Sequence, residues 1–133
     1  MKKKAVLVIT HGNFGIELLK SVEMIMGEQE DSAALGLCLG DDVEALRADA
    51  QRVIAENQEA GKETIVLVDI FGGSPSNVAL YALRSSDTKL ITGVNMLMLI
   101  EFFSSRDSEE LSDLVEKMIA SGIEGIKKFE RNN

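Results

Sequence analysis

The residue in this chain best suited to chemistry is its single histidine, His11. It closely follows an apolar run at residues 5–9; Gly12 comes directly after it, and Gly15 lies four residues after His11. Histidine is the side chain whose neutral ring can take up and release a proton or a phosphoryl group near neutral pH. Because glycine has no side chain, we expect Gly12 and Gly15 to leave the ring sterically open. His11 is therefore the candidate nucleophile.

A carboxylate is placed to work with this ring. Asp69 ends the strongest strand-like run in the sequence, residues 64–68. If this run and residues 5–9 form neighbouring strands, Asp69 lies near His11 and accepts a hydrogen bond from one ring nitrogen. Such a bond fixes the tautomer and leaves the lone pair of the other nitrogen free to attack. The alternative is that Asp69 only caps the turn after its strand.

The segment Gly72-Gly73-Ser74-Pro75 is a glycine turn that leads into a helix. Ser74 is predicted to be the N-cap of that helix, and Pro75 its first residue. Free N–H groups and the positive end of the helix dipole favour an anion at such a terminus. We therefore expect Gly72, Gly73 and Ser74 to bind a phosphate-sized group. The missing lysine of a P-loop argues against a nucleoside triphosphate.

The elements that must position these residues alternate along the chain. Four apolar runs predict strands, at residues 5–9, 33–39, 64–68 and 89–92. The segments between them repeat with a helical period, so the pattern predicts an α/β fold. We expect an open, mostly parallel sheet with helices on both faces. In such sheets sites form beyond the carboxyl ends of the strands, where His11, Asp69, Ser74 and Asn95 are found.

The C-terminal third is predicted to hold a short buried helix at residues 96–103 and a last helix from Ser108 to Gly122. The tail from Ile123 to Phe129 follows neither the helix nor the strand period clearly, and we interpret it as an edge strand. A chain of 133 residues fits one domain, residues 1–133.

Composition argues against several classes of function. The formal net charge of −8 does not suit a nucleic-acid binder. No apolar run approaches the roughly 20 residues of a membrane span, and the short N-terminal run without a cleavage site is interpreted as a strand. One histidine and one cysteine, Cys38, cannot form a histidine–cysteine metal cluster. We predict no metal and no cofactor. Cys38 is predicted to be a buried, inert thiol in a cytoplasmic protein.

Three motifs resemble a known family. Thr10-His11-Gly12 and Asp69-Ile70-Phe71-Gly72-Gly73-Ser74-Pro75-Ser76-Asn77 follow the first and third predicted strands. They closely resemble the enzyme IIA domain of the mannose family, which belongs to the bacterial phosphoenolpyruvate-dependent sugar phosphotransferase system. Gly93-Val94-Asn95-Met96-Leu97-Met98-Leu99 resembles the stretch after the family's fourth strand. The likeness runs over nearly the whole chain.

The resemblance implies a phosphocarrier. His11 would be phosphorylated by the carrier protein HPr and would pass the group to the IIB component, for sugar uptake and phosphorylation through the membrane IIC and IID components. Asp69 would orient His11, and Ser74 would help to hold the phosphoryl group. Family members are homodimers, and the tail would be an antiparallel edge strand exchanged between subunits. Since the chain ends where a fused IIB domain would begin, we expect IIB to be a separate polypeptide.

Three other classes fit less of the sequence. A receiver-like signalling domain also has an aspartate where Asp69 stands, but it needs an acidic pair where this chain has Thr10-His11-Gly12. A flavodoxin-like binding module would want several hydroxyl groups in residues 10–15 and aromatic rings for stacking, but the chain has no Trp and one Tyr. The phosphocarrier subunit of dihydroxyacetone kinase shares the fold and the histidine chemistry but lacks the Gly-Gly-Ser-Pro turn. It is the main alternative.

Overall fold

A computed structural model describes residues 1–83 and 88–132 of the chain. This part contains four strands and five helices, and each of the four predicted strands is present. The elements are, in chain order, β1 (Lys4–His11), α1 (Phe14–Met26), β2 (Ser32–Leu37), α2 (Val43–Glu59), β3 (Glu63–Val68), α3 (Ser74–Ala82), β4 (Thr88–Thr92), α4 (Met96–Ser105) and α5 (Leu111–Glu124).

The four strands form one parallel sheet in the order β2-β1-β3-β4. The chain passes from β1 outward to β2, then back across to β3 and on to β4, so the strand order reverses between β1 and β3. Ile9 pairs with Val68 at the end of the ladder between these two strands. Asp69 follows Val68 directly, and His11, two residues after Ile9, is the last residue of β1, so both lie at the carboxyl edge of the sheet. This reversal point is where open α/β sheets form their sites.

Helices cover both faces of the sheet, as predicted. Residues of α1, α4 and α5 build one hydrophobic core, and residues of α2 and α3 build the other. Along β1, Val6 and Val8 belong to the first core, whereas Leu7 and Ile9 belong to the second. None of these four side chains is more than 1% exposed. Burial on both faces explains why β1 is a continuous apolar run.

The bounds predicted for the last helix are wrong at both ends. Ser108 lies in a turn in which its hydroxyl donates to the carbonyl of Ser105, and α5 begins three residues later. Gly122 does not end the helix, because α5 continues to Glu124. A side chain at position 122 would come within 2.9 Å of Met98 Cγ. Gly122 therefore lets α5 approach α4 closely instead of stopping the helix.

The tail is not a strand in the single chain. Its first two residues, Ile123 and Glu124, belong to α5, and residues 126–132 form neither helix nor strand. An apolar groove of about 560 Å³ lies where the tail begins, between β4 and α5. Phe71, Leu90 and Ile126 are among the residues that line it. The edge strand predicted for residues 123–129 is therefore absent from the fold of the isolated chain.

Cys38 is exposed, so the prediction of a buried thiol is wrong. β2 ends at Leu37, because the Cys38 N–H donates to the Asp41 carboxylate at 2.7 Å and turns the chain away from the sheet. The apolar run continues to Leu39, but its last two residues lie in a loop at the carboxyl edge. In the described residues, no helix combines the length and the apolar character needed to cross a bilayer.

Candidate functional site

One oxygen of Asp69 holds His11 at two points. Asp69 Oδ2 lies 2.8 Å from the ring nitrogen Nδ1 and 3.0 Å from the backbone nitrogen of the same histidine. The second oxygen, Oδ1, accepts the backbone N–H of Ile70 at 3.0 Å. The Asp69 side chain is 15% exposed and the His11 side chain 51%. The carboxylate is thus largely enclosed, while the ring is open to solvent.

These hydrogen bonds keep Asp69 ionised. Burial pushes the pKa of Asp69 upward, but the N–H groups of His11 and Ile70 and the ring of His11 stabilise the anion, and together they lower the pKa below its ordinary value of 3.8. An ionised carboxylate can only accept hydrogen bonds. Nδ1 of a neutral His11 ring must therefore carry the proton, which leaves the lone pair on Nε2.

Nε2 faces the N-terminus of α3. Gly73 is the N-cap of this helix, and a Cβ built on Gly73 would lie 3.4 Å from both Nε2 and Cε1 of His11. Gly73 has φ 82° and ψ 175°, a conformation that is essentially restricted to glycine. A glycine at this position therefore brings the ring edge against the positive end of the α3 dipole. An anionic group on Nε2 would sit where a helix N-terminus attracts anions.

The predicted cap of α3 is shifted by one residue. Ser74 is the first residue of the helix and makes no side-chain capping bond, and Pro75 follows within the first turn. The carbonyl of Gly73 accepts the N–H of Asn77 at 3.0 Å, so the glycine backbone starts the helix. Ser74 is half-buried, and its hydroxyl has no hydrogen-bond partner among the residues that the structure describes. Ser76 is fully buried, with no partner for its hydroxyl in that same part of the chain.

The two glycines after His11 have different roles, and only one fits the expectation of an open ring. Gly12 has φ +55° and open space around the position of a side chain. At Gly15, in contrast, a Cβ would come within 2.7 Å of Val8 Cγ1 and 2.9 Å of Thr10 Cγ2. The N–H of Gly15 donates to Thr10 Oγ1 at 2.8 Å. Gly15 therefore allows α1 to pack closely on β1 and does not open space at the ring.

Sequence reasoning missed Gly36, which lies in β2 beside the His11 turn. A Cβ at Gly36 would lie only 2.0 Å from the carbonyl oxygen of Gly12. A glycine inside a strand pattern indicates a close backbone approach, but the sequence does not say to which residue.

Asn95, in contrast, lies outside the pair formed by His11 and Asp69. Its side chain accepts the Met98 N–H and donates to the carbonyl of Gly122, and so it caps α4 and ties α4 to α5.

The site therefore combines an exposed imidazole with Nε2 as its free nitrogen, an ionised carboxylate on Nδ1, and a helix N-terminus beside Nε2. In the parts of the chain that the structure describes, no group of three or more His, Cys, Asp or Glu could hold a metal ion. The arrangement suits a nucleophilic ring that takes on an anionic group.

Comparisons with known proteins show the family of the chain. Residues 5–119 match the EIIA-man family, described as the PTS system fructose IIA component. The chain is 34% identical over 125 residues to the mannose-specific EIIAB component of the PTS system of Escherichia coli K12. This match covers 92% of the chain but only 38% of that protein. The chain therefore spans well under half the length of the EIIAB protein.

Two further relatives match over most of their length. The fructose-specific EIIA component of the PTS system of Bacillus subtilis is 32% identical, and the match covers 87% of this chain and 80% of that protein. The crystal structure of the phosphotransferase system component EIIA from Streptococcus agalactiae superposes with a TM-score of 0.85 at 33% identity, over 94% of this chain and 96% of that one. The chain belongs to the EIIA-man family of IIA components of the phosphotransferase system.

Proposed function

We propose that this protein, as a single IIA domain over residues 1–133, is a cytoplasmic phosphocarrier that accepts a phosphoryl group from phospho-HPr on His11 and passes it to a IIB component. The observation that carries the proposal is the position of Nε2, which holds the lone pair of the neutral ring because Asp69 binds Nδ1, and which lies against the N-terminus of α3. The coupled uptake and phosphorylation of sugar would take place downstream, in the membrane components.

The proposed transfer needs one nucleophile and no cofactor. The Nε2 lone pair attacks phosphorus, a new N–P bond forms, and the bond to the donor protein breaks with its electron pair leaving on the donor. The ring gains a positive charge, which the Asp69 carboxylate stabilises through Nδ1–H. The N-terminus of α3, with Gly72, Gly73 and Ser74, takes the phosphoryl oxygens. The same steps in reverse deliver the group to IIB.

The surface around His11 supports docking of partner proteins. Four large apolar side chains lie exposed on the loops and helix start at this edge: Phe14, Leu39, Ile70 and Phe71, which are 51%, 105%, 58% and 76% exposed. The stretches 10–19, 36–46 and 69–83 together contain five acidic residues and no lysine or arginine, and the basic residues Lys20, Arg47 and Arg84 follow directly after them in the sequence. An apolar patch with an acidic surround fits a partner whose own apolar contact surface is ringed by basic side chains.

We further propose that the protein is a homodimer. The apolar groove between β4 and α5 is about 560 Å³, and Leu90, Ile119, Ile123 and Ile126 are among the residues that line it. Ile126 and Phe129, in the tail, are 79% and 87% exposed in the single chain. A tail that crosses to a second subunit as an edge strand would remove these side chains and the groove from water.

The first prediction is that His11 alone carries the phosphoryl group. Incubation with phosphoenolpyruvate, enzyme I and HPr should add one phosphate per chain, because the sequence holds one histidine. The label should be acid-labile and alkali-stable, and mass spectrometry should find it on His11. Asn13→Ala, which changes an exposed neighbour of His11, should keep the label as a control. Labelling of His11→Ala would contradict the assignment.

The second prediction is that Asp69→Asn slows transfer from HPr by about 10²-fold, equivalent to about 2.7 kcal/mol in activation free energy. Asparagine is similar in size but uncharged, and it cannot stabilise the charged ring. Single-turnover transfer and thermal unfolding are measured on the same sample. Asp41→Asn is the matched control, since Asp41 also accepts a loop N–H, from Cys38.

The pH dependence of stability should separate the same two variants. Because folding lowers the pKa of Asp69, its stabilising contribution is complete above the ordinary value of 3.8 and is lost as the pH falls through the lower folded pKa. Asp69→Asn should lack this part of the acid dependence, and Asp41→Asn should keep it.

For Asp69→Asn, a transfer rate equal to that of the wild type would remove Asp69 from the mechanism. A variant that is slow because it is unfolded would make the role of Asp69 structural.

The third prediction concerns Gly73. Gly73→Ala should reduce phosphorylation of His11 by about 10²-fold, because a methyl group 3.4 Å from Nε2 competes with the phosphoryl oxygens for space. Gly27→Ala is the matched control for backbone strain, since Gly27 has nearly the same conformation, φ 84° and ψ 174°, with nothing within 4 Å of its Cβ position. Phosphoramidate as a small phosphoryl donor distinguishes a blocked ring from impaired HPr docking. Equal rates in the two variants would contradict a role for Gly73 beside Nε2.

The fourth prediction is that light scattering at micromolar concentration gives twice the 14.5 kDa mass of the chain. Removal of residues 126–133 should shift the protein toward monomer, because the tail is the proposed crossing segment. Lys128→Ala, an exposed change in the tail that leaves Ile126 and Phe129 in place, should remain dimeric. A monomer mass for the full chain would refute the proposal.

A further inference from the structure

The end of β2 packs backbone against backbone on the turn that carries His11. An ideal Cβ at Gly36 would lie 2.0 Å from the carbonyl oxygen of Gly12, 3.0 Å from its carbonyl carbon and 3.7 Å from Asn13 Oδ1. The first distance is far shorter than any real contact of a Cβ atom. The Gly12 carbonyl therefore occupies the space that a side chain at position 36 would need.

Hydrogen bonds hold this turn from two sides. On the β2 side, the N–H of Gly12 donates to the carbonyl of Leu37 at 2.7 Å, and Leu37 is the register partner of His11. On the β3 side, the N–H of His11 donates to Asp69 Oδ2 at 3.0 Å. The turn is thus fixed between a strand on each side, and Gly36 is the residue whose missing side chain lets β2 come close enough.

We propose that Gly36 is a positioning residue for His11: the close approach that it permits fixes the His11 turn so that the backbone N–H and the ring of His11 both reach Asp69 Oδ2. The link to phosphoryl transfer rests on the proposed function. The geometric part does not, because it concerns only the pair formed by His11 and Asp69.

The consequence for the ring follows from the shared oxygen. Nδ1 and the backbone nitrogen of His11 lie 2.8 Å and 3.0 Å from the same atom, so a shift of the backbone moves both contacts together. A methyl group on residue 36 must push the Gly12 carbonyl and β2 apart, and the bond from Gly12 to Leu37 cannot survive that separation. Without the hydrogen bond from Gly12 to Leu37, Asp69 no longer fixes the proton on Nδ1, and the ring populates both tautomers.

The experiment compares Gly36→Ala with Ala34→Gly. Both positions lie on the same face of β2, two residues apart, and Ala34 packs against the core and away from Gly12. Ala34→Gly therefore weakens the strand without touching the His11 turn. The measurements are ¹⁵N NMR of the histidine ring, thermal unfolding, and the dependence of the transfer rate on HPr concentration. One histidine in the chain gives one pair of ring nitrogen signals.

The expected result is a difference between the two variants that stability does not explain. Ala34→Gly should show the ring signals of the wild type, with the proton on Nδ1. Gly36→Ala should show averaged signals and a kcat lowered by about tenfold with KM unchanged, since a small misplacement of a reacting group can cost up to 10²-fold. Wild-type ring signals in a folded Gly36→Ala variant would overturn the inference, as would losses in both variants that follow their melting temperatures.

A second measurement applies to the wild-type protein and does not depend on the folding of any variant. If the turn is held by β2, the Gly12 amide should exchange its hydrogen as slowly as amides inside β1. Exchange at the rate of an unprotected loop amide would also overturn the inference. The wild-type chain could also take up no phosphate and still show the Nδ1 tautomer and a protected Gly12 amide. This result would contradict the proposed function and leave Gly36 in its positioning role.

Discussion

The site depends on one oxygen atom, Asp69 Oδ2, which accepts both the backbone N–H and the ring of His11. Two bonds from one residue to one atom fix where the backbone lies and how the ring is turned. A bond to the backbone alone would leave the imidazole free to rotate about its Cα–Cβ bond, and a bond to the ring alone would leave the backbone of His11 free to shift. Because Asp69 is only 15% exposed and ionised, both bonds go to a charged acceptor, and such hydrogen bonds are stronger than those between neutral groups.

This constraint requires strands to lie side by side and loops to approach one another closely. β1 and β3 are neighbours with Ile9 opposite Val68, and so His11 and Asp69 lie together at the carboxyl edge of the sheet. Glycines then remove the side chains that would keep the loops apart. Gly15 lets α1 pack on Val8 and Thr10, Gly36 admits the Gly12 carbonyl, and Gly73 brings α3 against the ring. The parallel sheet supplies the location of the site, and the glycines supply its short distances.

The sequence predicted the parts of this arrangement that depend on long patterns. Continuous apolar runs identified the central strands, and the strand ends identified the edge at which His11 and Asp69 meet. Prediction from the sequence failed where a feature depends on a backbone angle or on contact with a residue far away in the chain. The cap of α3 falls on Gly73 because of that residue's conformation, Cys38 is exposed because Asp41 turns the chain, and the partner of Gly36 lies 24 positions away in sequence.

The exposure of the ring fits a carrier better than an enzyme that acts on a small substrate. An enzyme of that kind gains from enclosing its reaction and excluding water. A carrier must let two different proteins reach the same nitrogen in turn, so its nucleophile has to stay open, and His11 is 51% exposed. If partners dock here as proposed, they would exclude the water, and the exposed side chains of Phe71, Ile70 and Leu39, on loops at this edge of the sheet, would offer them an apolar contact surface.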